Sequence, residues 1–78
     1  MTVRARLFGT LRRLSSHGTR GLWEGDLPDG ATVRDLLEAV GTTTREVHLI
    51  TINGQISSLD AVIPKAADIV MVTAVGGG

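Results

Sequence analysis

The sequence predicts an α+β domain in which one helix lies across one face of a mixed four- to five-stranded sheet. Three observations predict it. Only one stretch of the 78 residues keeps a helical period, several others read as short strands, and their order is strand, strand, helix, strand, strand, strand. One helix is too few for a doubly wound α/β fold. A single amphipathic helix buries a single stripe, so the opposite face of the sheet is expected to be largely exposed.

Residues 3–8 alternate Val3, Ala5 and Leu7 with Arg4 and Arg6, the period of a strand with one wet face. After Gly9, Leu11 and Leu14 stand three apart, as one helical turn places residues on a common side. Ser15-Ser16-His17-Gly18 reads as loop. Residues 21–27 form a second short strand, with Trp23 and Leu27 on one face and Glu24 and Asp26 on the other, ended by the Pro28-Asp29-Gly30 turn.

The helix follows, because Val33, Leu36, Leu37 and Val40 fall at i, i+3, i+4 and i+7. Thr32 is its natural N-cap, Asp35 completes a shortened capping box, and Gly41 supplies the stop. Residues 49–52 are a strand, Asn53-Gly54 a two-residue hairpin turn that accounts fully for both residues, and Gln55-Ile56-Ser57 the returning strand. Residues 60–68 lose period, and Pro64 excludes a central strand there. The apolar run of residues 69–75 suits a central strand, and three glycines follow. The expected core is Leu7, Leu36, Leu37, Val40, Ile50, Ile52, Val70 and Val72. The domain spans residues 1–75, with residues 76–78 a flexible tail.

Composition narrows the function. Hydrophobic residues at 42% and charged residues at 21% belong to a folded domain, and the absence of cysteine removes disulfides, thiolate nucleophiles and sulfur-ligated metals. No apolar run approaches a membrane span, and four arginines stand where a signal peptide would be apolar, so the expectation is a cytoplasmic protein. Net charge is zero, yet residues 1–23 carry +5 and residues 24–78 carry −5. This asymmetry suits steering of an acidic partner, with Arg12 and Arg13 the docking candidates because the turn exposes both. One Trp and one Phe are too few stacking platforms for an RNA binder.

A catalytic centre is hard to find. His17 and His48 are thirty-one residues apart with no metal-ligand spacing, and Asp26 and Asp29 are ordinary turn residues. No metal or cofactor is implied. Gly averages ~7% of residues, so three in succession at a terminus arise by chance about once in three thousand ends. A tail without Cβ atoms can thread a narrow enzyme channel. Its α-carboxylate, ionised at neutral pH, can attack the α-phosphate of ATP to form an acyl adenylate. A persulfide sulfur delivered there leaves a terminal thiocarboxylate, which holds reactive sulfur without any cysteine.

These residues carry a family resemblance over essentially the whole chain. Residues 7–14, Thr32-Val33-Arg34-Asp35-Leu36-Leu37, Ile52-Asn53-Gly54 and residues 68–78 together resemble the ubiquitin-like β-grasp sulfur carriers, the MoaD/ThiS family. The resemblance implies a β-grasp fold, a MoeB/ThiF-type adenylating enzyme acting on Gly78, and a synthase that accepts the sulfur. Gly76 and Gly77 become the access arm, and the chain is then no enzyme but a co-substrate or small subunit of the synthase. Thr73-Ala74-Val75 is nearer the thiamin branch and the long loop of residues 9–20 nearer the molybdopterin branch, so both pathways stay open. Two alternatives also stand: a protein modifier joined by isopeptide bonds, and a β-grasp interaction domain.

Overall fold

The computed structural model describes residues 1–73. Its elements are β1 (Thr2–Phe8), a 3₁₀ turn (Gly9–Leu14), β2 (Leu22–Asp26), α1 (Val33–Val40), β3 (Val47–Ile52), β4 (Gln55–Ile56) and β5 (Ile69–Thr73). The five strands form one sheet in the order β2-β1-β5-β3-β4. β1 and β5 pair in parallel at its centre, and the remaining pairs are antiparallel. The α+β architecture with one helix across a mixed sheet is the one expected. Ala74 and Val75, assigned above to the last strand and the domain, and the Gly76-Gly77-Gly78 tail lie outside the described residues.

Local signals place α1 as read. Thr32 Oγ1 accepts the Asp35 N–H at 3.3 Å while the Thr32 N–H donates to Asp35 Oδ2 at 2.9 Å, so the capping box is complete. At the other end Gly41 adopts φ 95°, a left-handed conformation in which its N–H bonds Leu37 O. Val33, Leu36, Leu37 and Val40 are all buried against the sheet. Burying each such side chain contributes ~1.5–3 kcal/mol relative to exposure. The hairpin turn is also as expected, with φ of 52° at Asn53 and 84° at Gly54.

The structure corrects the expected core in β5. Ile69, Met71 and Thr73 face α1, whereas Val70 and Val72 lie half-buried on the opposite face. Register decides this: Met71 stands between Leu7 of β1 and Ile50 of β3, and Val72 stands between Phe8 and Leu49. The segment before β5 is also more ordered than its sequence suggested. Leu59, Ala61 and Ile63 turn inward while Asp60 and Val62 face out, and Ile63 joins the core. Ala61 O and Leu59 O accept the free Val33 and Arg34 N–H groups in the first turn of α1, completing what the cap leaves open.

Asn53 does more than turn the chain. Its N–H donates to Asp68 O at 2.8 Å, and its Oδ1 accepts the Asp68 N–H at 2.9 Å, which ties the β3–β4 hairpin to the start of β5. Residues 21–27 shorten to the β2 range, and Leu27 is buried just beyond it, its N–H bonded to Met1 O.

Candidate functional site

The reactive chemistry expected from the sequence falls on residues 76–78, outside the described residues, which end at Thr73 in β5. Thr73 is buried, and its Oγ1 accepts the Thr10 N–H at 3.3 Å. Gly9 makes this approach possible. It holds φ 69°, and a Cβ there would lie 1.9 Å from Thr73 Oγ1, a separation no packing tolerates. The 3₁₀ turn is thereby pressed onto the end of β5, with Leu11 buried beneath it.

A carboxylate organises the same end of the sheet. Glu46, in the connection between α1 and β3, accepts from Arg13 Nη1 and Nη2, from Thr10 Oγ1 at 2.9 Å and from Thr42 Oγ1 at 2.7 Å. The Arg13 hydrogen bonds, followed by those from Thr42 and Thr10, hold its carboxyl down to about 2, while the Arg13 guanidinium is held still more firmly protonated. Arg13 is therefore engaged within the chain. Both docking candidates are exposed, and they differ in that Arg13 is ion-paired while Arg12 makes no ion pair among the described residues.

The open face of the sheet presents the alternate residues of every strand. Arg4 pairs with Glu24, and Arg6 forms two hydrogen bonds to Asp68 at 2.9 and 2.7 Å. At the end nearest Thr73 the ion pairs give way to an apolar row in which Phe8, Val72 and Leu49 lie side by side on β1, β5 and β3. Phe8 is 47% exposed. Val72 and Leu49 beside it are half-buried. Phe8 was legible in the sequence, since the alternation of Val3, Ala5 and Leu7 puts it on the wet face; Glu46 and Thr73 carried no local signal.

His17 and His48 are both exposed, and among the described residues no three His, Asp or Glu side chains gather as metal ligands. Gly76, Gly77 and Gly78 lie outside the described residues. Among those described, no helix is long and apolar enough to cross a membrane.

Comparison with known proteins agrees with this geometry. The family model described as "ThiS family" matches residues 5–78. Among solved structures, SAMP1 from Haloferax volcanii superposes with a TM-score of 0.75 at 20% identity, covering 100% of both chains. A second structure, H. volcanii small archaeal modifier protein 1, gives a TM-score of 0.73 at 19% identity, covering 95% of this chain and 98% of that one. At these identities the likeness shows the fold, the ubiquitin-like β-grasp. No curated protein matches the chain.

Proposed function

The chain belongs to the ThiS family, and on that premise we propose that it is a sulfur carrier whose C-terminal Gly78 is adenylated and then converted to a thiocarboxylate. Small carriers of this family are generally not catalytic, and the family implies partnership with E1-like adenylating enzymes and with sulfur-accepting enzymes. The observation that carries the reading is the reach of the family match, which runs through the three glycines to Gly78. In the first step the Gly78 carboxylate oxygen attacks the α-phosphate of ATP, forming the acyl adenylate and releasing pyrophosphate. A persulfide then displaces AMP to give an acyl disulfide. A second thiol of the partner cleaves that S–S bond, leaving the thiocarboxylate and a partner disulfide.

Residues 1–75 act as the handle and Gly76-Gly77 as the access arm, since a residue without Cβ enters a channel that a side chain would block. The sulfur goes to a synthase of the molybdopterin or thiamin type in the cytoplasm. The absence of cysteine from the chain supports this division of labour, because every thiol the chemistry needs then belongs to a partner.

Deleting Gly77-Gly78 is expected to leave the unfolding midpoint unchanged and to abolish ATP–pyrophosphate exchange by the cognate adenylating enzyme. Exchange at the wild-type rate from the deletion would refute the assignment to Gly78. One observation favours a second reading: the solved structures that share the fold are described as modifier proteins. Intact-mass analysis after activation separates the two, since a carrier gains sulfur for oxygen at its terminus while a modifier appears joined to a lysine.

A further inference from the structure

We propose that the groove between β1, the 3₁₀ turn and the loop before β2 docks an acidic segment of the adenylating enzyme, with Arg12 and Arg20 as the charged contacts and Phe8 as the apolar anchor. The proposal rests on the carrier reading. An open groove of about 490 Å³ is lined by Arg6, Leu7, Phe8, Arg12, Arg20, Gly21 and Leu22. Three of these are arginines and none is acidic. Arg6 is already neutralised by Asp68, whereas Arg12 and Arg20 have no carboxylate partner among the described residues. Elsewhere Arg4, Arg13 and Arg34 each have one, and Arg45 stands alone without one among the described residues. Three of the five arginines in residues 1–23 are thus paired with carboxylates of the chain, and the other two, Arg12 and Arg20, both line this one groove.

The backbone makes room for the arrangement. Gly21 holds φ 76°, and a Cβ there would stand 3.7 Å from Arg12 Nε and 3.2 Å from Leu7 O, so the Arg12 side chain lies against the loop rather than away from it. The Gly21 carbonyl in turn accepts the Leu7 N–H at 2.7 Å, which fixes the loop to β1. Exposed Phe8 and half-buried Leu22 supply the apolar side of the groove. Aromatic side chains, Phe among them, and arginine are the groups enriched at the core of protein interfaces. Phe8 also lies beside Val72 at the Thr73 end of the sheet, so a partner seated here is close to the root of the tail. A nucleic-acid occupant is the poorer fit, because Trp23 pairs with Ala5 on the helix side of the sheet and leaves Phe8 as the one aromatic ring in the groove.

The test is the association rate of the full chain with its cognate adenylating enzyme, without ATP, as ionic strength rises from about 0.01 to about 0.15 M and the Debye length falls from ~30 to ~8 Å. The wild-type rate is expected to fall roughly tenfold, as electrostatically steered association does. Arg12→Glu/Arg20→Glu should be slow and nearly independent of salt, Arg12→Gln/Arg20→Gln should lie between, and Phe8→Ser should raise the dissociation rate. Arg34→Glu/Arg45→Glu changes the net charge equally outside the groove and should retain most of the wild-type rate. A salt-independent wild-type rate, equal slowing by the control pair, no binding at all, or displacement of the enzyme by oligouridylate bound through Arg12 and Arg20 would each overturn the proposal. A wild-type chain that docks as described but supports no pyrophosphate exchange refutes the Gly78 reading and leaves the groove standing.

Discussion

The two faces of the sheet are built from alternate residues of the same strands and do opposite work. Toward α1, Val3, Ala5, Leu7, Ile50, Ile52, Ile69 and Met71 are buried and hold the fold together. On the other side, Arg4, Arg6 and Phe8 are exposed, and Val70 and Val72 are half-buried. In β1 the two sets differ in chemistry except at Phe8, whereas in β5 both sets are apolar except at Thr73. The open-side residues of β5, Val70 and Val72, are thus apolar like Ile69 and Met71 beside them but less buried.

Truncating neighbours in β5 should separate the two faces most clearly. Met71→Ala removes a fully buried side chain and is expected to cost ~2–5 kcal/mol. In a domain of this size each kcal/mol lowers the melting temperature by roughly 4–8 °C, so thermal unfolding resolves the effect. Val72→Ala, one residue away on the open face, should cost under about 1 kcal/mol. Equal losses from the two would show that the open face is part of the core.

A smaller effect is expected at the start of α1, which sets the helix that separates the faces. Thr32→Ala removes the hydroxyl that accepts the Asp35 N–H, at a cost of ~1 kcal/mol measured by urea unfolding. Thr32→Ser should recover most of that loss.

The smallest expected change concerns Glu46, which braces the 3₁₀ turn against the α1–β3 connection. Its carboxyl is held at about 2 in the folded chain against an ordinary value of 4.5, so the unfolded chain takes up the proton first. The stabilising contribution is fully present above pH ~4.5 and is lost as the pH falls toward ~2. Unfolding midpoints measured across that window should decline less steeply in Glu46→Gln than in the wild type. Identical slopes would show that Arg13 and the two threonines do not favour the ionised form.

Neighbours within about a helical turn or a strand period dictate one part of this structure. The Thr32–Asp35 capping box, the Gly41 stop, the Asn53-Gly54 turn and the inward set Val3, Ala5 and Leu7 are all of this kind. Tertiary structure decided the rest, because a period can be read only where residue types alternate. Residues 69–72 are apolar throughout, so only pairing with Leu7 and Ile50 could turn Met71 inward and leave Val72 outside. In residues 59–63 the exposed apolar Val62 disguised an alternation that packing against α1 makes plain. The separation of Arg13 from Arg12 depended on Glu46, 33 residues along the chain from Arg13. The meeting of Arg12, Arg20 and Phe8 in one groove likewise depended on Gly21 folding back to bond Leu7. Adjacent arginines are equivalent as sequence, and only long-range contacts, which no local pattern encodes, pair one of these two exposed side chains with a carboxylate and leave the other without one among the described residues.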